Sequence, residues 1–172
     1  MQLWKLFPAN FSLTASTRCR GNDTDVTWGS SAMSLDNAVL NEITMAGRKF
    51  KDAYYAALDE SPAKRAELLS RYYPAQVRHG LMSWNGHELP TVEAIQQYMA
   101  NLPKTKHVQH SADVQPLPGA ERVETFLITV TGTCTYDDEH QRTFFQRMTV
   151  CHQEGRLYIV QDYYRWTGEK GN

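Results

Sequence analysis

The 172-residue sequence has almost no net charge, few cysteines and no long apolar run. A formal net charge of −1 gives no overall field that would attract nucleic acid or an anionic membrane. Cys19, Cys134 and Cys151 are too few and too scattered for a disulfide framework, so free thiols are predicted. No run approaches the roughly 20 apolar residues of a membrane helix, and residues 1–15 lack the pattern of a secretory signal. These absences predict a protein of a reducing compartment, the cytoplasm or the nucleus.

Motifs for nucleotides, metals and nucleophilic catalysis are also lacking. The sequence has no glycine-rich phosphate loop, no paired-cysteine metal pattern and no nucleophile elbow. His107 and His110 come nearest to a metal pair, but on a strand their odd spacing directs them to opposite faces. We therefore predict no cofactor, no metal site and no catalytic residue.

Two carboxylates, Asp113 and Asp162, nevertheless stand in otherwise apolar strands. Tyr54, Tyr73 and Tyr164 could share a pocket with them. Because burial raises the pKa of a carboxylate, such a pair could perform general acid-base catalysis. The alternative, which we favour, is that each carboxylate caps a loop or accepts hydrogen bonds from backbone amides.

The segment from Arg122 to Trp166 carries the strongest pattern in the sequence. Bulky residues alternate along three successive runs, as in Phe126–Val130, and the polar connections Asp137–His140 and Gln153–Gly155 separate them. This period of two predicts an antiparallel meander of three strands. Its second face is rich in threonine and aromatic residues, so we expect another surface to cover it.

The rest of the chain predicts helices before and between strands. Residues 1–33 lack a sustained period and are predicted to be a disordered tail, residues 34–168 a single domain, and residues 169–172 a short C-terminal tail. Caps, prolines and apolar spacing predict these elements: helices Ser34–Leu58, Ser61–Tyr73 and Thr91–Leu102, and strands Val77–Trp84 and Lys106–Leu117. The predicted fold is α+β, with helices packed on one concave face of the sheet.

Arg165 is the most informative charge, because it lies between Tyr164 and Trp166 near the end of the last predicted strand. It is separated from Ile159 and Tyr163 by even numbers of residues, which predicts that all three side chains project from one face of the strand. An arginine on an apolar face usually pairs with a carboxylate, and nothing in this chain is an obvious mate.

Five short segments, taken in order, resemble the nuclear transport factor 2-like family, and within it the small cofactors of RNA export. They are Ser83–Gly86, Leu102–Pro103, Asp113–Pro116, Gln141–Gln146 and Asp162–Arg165. The resemblance extends from Ser34 to Trp166. It implies a cone-shaped fold in which three helices wrap a curved antiparallel sheet, in agreement with the pattern above.

The resemblance also implies binding rather than catalysis. Such a cofactor has no enzymatic site, pairs sheet to sheet with a large nuclear RNA export receptor, and supports mRNA export through the nuclear pore. It would meet nucleoporins only through that complex, bind neither nucleic acid nor membrane directly, and shuttle from the nucleus and pore to the cytoplasm. Arg165 would face an aspartate of the large subunit. The expected partner interface comprises Arg165, Tyr163, Thr129, Thr131, Leu127, Phe145 and Arg147.

Two alternatives come from the same fold. A carrier of Ran in its GDP form is similar around Lys106–Pro118 and in its acidic loop, here Asp137–Glu139. Against it, Asn85 follows Trp84 where that carrier has a glutamate that holds Ran. The other alternative is an isomerase or dehydratase with its site in the cone, which usually needs a His/Asp or Tyr/Asp set.

Overall fold

The computed structural model describes residues 37–74, 81–117 and 125–168. The predicted tails, residues 1–33 and 169–172, lie outside them. The elements are α1 (Asn37–Leu58), α2 (Pro62–Ser70), β1 (Met82–Trp84), β2 (His87–Leu89), α3 (Val92–Asn101), β3 (Thr105–Pro116), β4 (Thr125–Tyr136), β5 (His140–Gln153) and β6 (Arg156–Thr167). Three helices and a curved, unclosed sheet confirm the predicted fold class. None of the helices described is long and apolar enough to span a membrane.

The helix boundaries follow from local chemistry. Proline occupies the first position of α2, where its missing N–H costs nothing. Thr91 caps α3 by accepting a hydrogen bond from the Ala94 amide over 3.2 Å. In α1, Ile43, Gly47 and Phe50 lie on the buried face at spacings of three and four. The predicted start of α1 at Ser34 lies outside the described residues.

The strands form one six-stranded sheet in the order β2-β1-β6-β5-β4-β3. Neighbours are antiparallel, as predicted for the meander, except that β1 pairs with β6 in parallel. A second difference from the prediction is strand β2. It pairs with β1 in a hairpin that turns at Asn85 and Gly86, both with positive φ. An Asn-Gly pair favours such a tight hairpin turn, because both residues readily adopt positive φ. The predicted strand Val77–Trp84 is described only from its last residues, as β1.

The two faces of the sheet differ in burial along β4, where inner and outer residues alternate without a break. The inner residues pack against the helices, and Phe126, Ile128 and Val130 are at most 3% exposed. Gly132 lies on the same inner face, where an added Cβ would stand 2.2 Å from the Val108 carbonyl oxygen. We call the opposite side of the sheet the outer face.

A bulge in β6 changes which residues face inward. Thr149 of β5 pairs with Gln161 while the next residue, Val150, pairs with Ile159, so Val160 is extra. Ile159 and Asp162 are therefore both buried although they are three residues apart. The prediction that Arg165 shares a face with Ile159 is wrong for this reason, since Ile159 is in the core and Arg165 is exposed.

Buried Arg65 of α2 joins the ends of several elements. Its guanidinium group donates to the carbonyl oxygens of Leu58 at 2.7 Å, Leu102 at 3.0 Å and Pro103 at 3.0 Å. A buried cation needs such partners, because an unpaired one would cost several kcal/mol. These bonds join the C-termini of α1 and α3 to the entry of β3.

Candidate partner interface

The strand register brings all seven residues of the predicted interface to the outer face. Two pairs of neighbouring strands determine this placement, β4 with β5 and β5 with β6. The residues form adjacent rows across the sheet: Thr131–Phe145–Arg165, Thr129–Arg147–Tyr163 and, beside them, Leu127. The geometry therefore unites the seven residues on one surface; their role in binding a partner stays a prediction.

This surface carries apolar and aromatic side chains among its threonines, and the described helices leave it open. Leu127, Phe145 and Tyr163 are half-buried, and Val108 of β3 is 48% exposed. Val108 pairs with Thr133, so it extends the same face toward the β3 edge. An apolar face of this kind, bordered by polar groups, is typical of a protein–protein interface.

Two arginines lie among these apolar residues. Arg147 and Arg165 are both exposed, and within the described residues neither forms an ion pair. Arg165 Nη1 donates to the Tyr163 hydroxyl over 3.4 Å, and this bond raises the pKa of the guanidinium group. Arg165 therefore remains a cation, available to an acceptor outside the described part of the chain.

The two carboxylates considered as a catalytic pair are separated by the sheet. Asp113 pairs with Thr129, which places it on the outer face, where it is exposed. Asp162 lies on the inner face and is 1% exposed. Sequence reasoning missed that Asp113 belongs to the same surface as Arg147. Counting alternate residues along β3 could not place Asp113 on this face, because a bulge between Gln109 and Ser111 shifts the β3 register.

Asp162 lies at the centre of a buried hydrogen-bond cluster. Its Oδ2 accepts from the hydroxyls of Tyr73 at 2.8 Å and Tyr54 at 3.0 Å, and Gln146 Nε2 donates to its Oδ1 at 2.9 Å. Gln146 in turn accepts from Tyr55 at 2.6 Å. Burial raises the pKa of Asp162 to about 6, although these donors act to lower it.

This cluster has the composition of an acid-base site but not its accessibility. Tyr54, Tyr73 and Asp162 are at most 3% exposed. A general acid or base must come within hydrogen-bond distance of its substrate, and here the carboxylate oxygens are occupied by donors from the chain itself. The arrangement is one that stabilises the packing of α1 against β5 and β6.

His107 and Tyr164 form a second inner network. His107 Nδ1 lies 2.6 Å from Asp59 Oδ1, and its Nε2 lies 3.2 Å from the Tyr164 hydroxyl. Both ring nitrogens therefore have partners within the chain, whereas His110 is exposed on β3. Tyr164 also stacks on Trp84, with ring centroids 3.7 Å apart. These contacts give His107 a structural role and account for Tyr164 being absent from the Asp162 cluster.

The cysteine prediction is confirmed for the two described thiols. Cys134 is buried on the inner face and Cys151 is half-buried, and both are free. Burial raises the pKa of the Cys134 thiol to about 11, which makes it a poor nucleophile.

Fold and surface together define an α+β domain with a curved sheet, one side of which is packed by helices while the other is left uncovered by the described residues. A family model, that of the nuclear transport factor 2 domain, matches residues 46–166, and the chain belongs to this family. The resemblance seen in the sequence is thereby confirmed.

Known relatives agree with this assignment. The chain is 28% identical over 128 residues to an NTF2-related export protein of Caenorhabditis elegans, covering 73% of this chain and 88% of that protein. A structure of nuclear transport factor 2 from Cryptosporidium parvum superposes with a TM-score of 0.60 at 20% identity, covering 78% of this chain and 98% of the other. A chain from the Mtr2–Mex67 M domain complex of Candida albicans also gives a TM-score of 0.60, at 16% identity, with coverage of 76% and 99%. Both superpositions show the fold alone.

Proposed function

We propose that this protein is a non-enzymatic cofactor that pairs through its outer face with a large nuclear RNA export receptor and supports mRNA export through the nuclear pore. It would act in the nucleus and at the pore and shuttle to the cytoplasm, meeting nucleoporins only as part of that complex. The name of the Caenorhabditis elegans relative, an export protein, supports the class of function. The Candida albicans complex supports a heterodimeric assembly.

The observation that carries the proposal is an arginine on an open apolar face. Arg165 is exposed beside Phe145, its direct partner across β5 and β6, and within the described residues no carboxylate pairs with it. An arginine that enters a desolvated interface needs a carboxylate or an equivalent acceptor there. A partner that supplies one would match this face in both shape and charge.

The alternatives receive less support from the same residues. Asn85 stands where the Ran carrier has a glutamate, and its side chain is already engaged, since Oδ1 accepts from the Trp166 amide at 2.7 Å. The enzyme alternative would need Asp162 to reach a substrate, whereas Tyr54, Tyr73 and Gln146 surround that carboxylate.

Affinity purification of the full chain from its own cells, after cross-linking and with quantitative mass spectrometry, tests the proposal. We expect a large RNA export receptor in about equal amount, and we expect Arg165→Ala to reduce it strongly. Arg48→Ala, an exposed arginine of α1, is the matched control and should leave capture unchanged. Recovery of Ran, or no stoichiometric partner, would overturn the proposed function.

A further inference from the structure

A groove of about 660 Å³ lies on the helical side of the molecule. The second half of α1, the α2 segment and the start of β6 form it. Its apolar lining comprises Phe50, Ala53, Ala57, Leu68, Tyr72 and Leu157. Leu157 precedes buried Ile159 by two residues, so it lies on the inner side of the sheet. A ligand in this groove would therefore not compete with a partner bound to the outer face.

Contacts within the chain hold the floor and walls of the groove in place. The rings of Phe50 and Tyr72 pack edge to face, with centroids 5.3 Å apart. The Ile159 amide donates to the Tyr72 carbonyl oxygen at 2.7 Å, which fixes the chain after α2 against β6. On the α1 wall, Ala53 and Ala56 are exposed and their side chains end at Cβ. The groove is therefore formed before a ligand arrives, and a second helix can approach α1 closely.

Hydrogen-bond donors converge on this groove from two elements. Arg71 lies just after α2, Arg156 begins β6, and both line the groove. Within the described residues, the Arg156 guanidinium group lies 5.9 Å from the Tyr158 ring and forms no ion pair. The Tyr72 hydroxyl has no hydrogen-bond partner in the same part of the chain. Burial raises the pKa of Tyr72, so this hydroxyl stays protonated and can donate.

The acidic residue of the lining does not offset these donors. Glu60 borders the groove, but its carboxylate already accepts from Lys64 Nζ at 2.8 Å. Lys49 adds a further cation, because it is exposed one helical turn before Ala53 on the same face of α1. Lys49 has no ion pair among residues 37–74, 81–117 and 125–168. An apolar groove with unpaired cations at its rim is complementary to an apolar ligand that carries carboxylates.

We propose that this groove binds an acidic amphipathic helix of another protein, whose apolar stripe lies on the groove floor and whose carboxylates face Arg71 and Arg156. The groove is open to solvent along one side, so it covers only one face of its ligand. An amphipathic helix needs no more than this, because its other face is polar. This second binding surface is independent of the proposed export function, since it uses the opposite side of the sheet.

Selection from a displayed peptide library tests the proposal. The peptides are about 14 residues long, roughly four helical turns, with apolar residues fixed at helical spacing and random residues beside them. The full chain is the bait. Counter-selection uses a variant with Ala53→Gln and Ala56→Gln, two long, uncharged, helix-forming side chains that fill the groove. We expect the retained peptides to be enriched in Asp and Glu at the random positions.

Charge variants of the bait show whether the rim arginines read these carboxylates. Arg156→Glu should weaken binding of a retained peptide at least about tenfold, and the effect should shrink as salt rises. Lys106→Glu makes the same change in net charge at an exposed position of β3, three strands away from β6, and should leave affinity unchanged. Fluorescence anisotropy measures the affinities, and circular dichroism verifies that each variant is folded.

Three results would each overturn the proposal. No retained peptide distinguishes the wild-type chain from the variant with the filled groove, the retained peptides are not acidic, or Arg156→Glu and Lys106→Glu weaken binding equally. Other occupants have their own signatures when no peptide is retained. Oleate binding that the filled groove abolishes would identify an acyl-chain site, and self-association that the filled groove abolishes would identify a second copy of this chain; either result would also overturn the proposal.

Discussion

The two sides of strand β4 differ in what the fold requires of them. Leu127 and Ile128 are adjacent and isomeric, yet Ile128 is fully buried against the helices while Leu127 is half-exposed on the outer face. Both suit a strand equally well, so the β-structure itself does not distinguish them. The core needs only the inner half of the strand, which leaves the outer half available for a partner.

Polar residues show the same contrast more sharply. On the inner side, the carboxylate of Asp162 and the guanidinium of Arg65 have all their partners within the chain. On the outer side, Arg147 and Arg165 have no carboxylate among the described residues. Burial forces polar groups to be satisfied, whereas a surface can keep them unpaired until a partner arrives.

The largest expected effect is a loss of stability that distinguishes Ile128 from Leu127. Ile128→Ala should lower the free energy of unfolding by about 3 kcal/mol, because it leaves a cavity between the sheet and the helices. Leu127→Ala removes the same number of carbons and should cost less than about 1 kcal/mol. Urea unfolding measures both, and equal losses would show that the outer face is packed as well.

Arg165→Ala is expected to give the opposite result, a loss of binding without a loss of stability. Its absence would leave the partner's carboxylate desolvated and unpaired, which typically weakens affinity roughly 30-fold or more. Titration against the receptor subunit recovered by affinity purification measures this effect, with unfolding curves as the control. Unchanged affinity would remove Arg165 from the interface.

Asp162 should make the stability of the inner side depend on pH. Its pKa is raised from 3.8 to about 6 in the folded protein, so the fold binds this proton more tightly than the unfolded chain does. Ionisation therefore destabilises the fold by about 3 kcal/mol in full, a loss that accumulates as pH rises from about 4 to about 7. Asp162→Asn lacks this slope, and parallel stability curves for the two proteins would contradict the assignment.

Removing single hydroxyls sharpens the contrast at the smallest scale. Tyr73→Phe deletes a 2.8 Å hydrogen bond to the Asp162 carboxylate and should cost about 2 kcal/mol of stability. Tyr163→Phe deletes only the exposed 3.4 Å contact with Arg165 and should cost less than about 0.5 kcal/mol. Denaturant midpoints of the two variants provide the measurement. A similar shift in both would mean that burial does not determine how much each hydrogen bond contributes to stability.

Local patterns predicted the Thr91 cap, the start of α2 at Pro62 and the meander, whereas Ser61 precedes α2 without a side-chain cap bond. Alternation along β4 is unbroken, so it identified Leu127 and Thr129 as outer residues directly. The assignment of faces by alternate residues failed where a bulge adds a residue, as between Ile159 and Arg165 in β6.

The contacts of Asp162 could not be predicted in the same way. Its donors come from α1, β5 and the segment after α2, as many as 108 residues away in sequence. No local pattern encodes such a distant pairing, and the choice between a pocket and a closed cluster depends on it. The parallel β1–β6 pairing is non-local for the same reason.

The bulge at Val160 determines which side chains in the second half of β6 belong to the core. Because side chains alternate along a strand, a change of register by one residue turns the remainder of the strand over. If β6 paired with β5 without the bulge, strict alternation after Ile159 would turn Arg165 and Tyr163 inward and Asp162 and Tyr164 outward. A single substitution changes one side chain, whereas loss of this one irregularity would exchange core residues for surface residues along half of the strand.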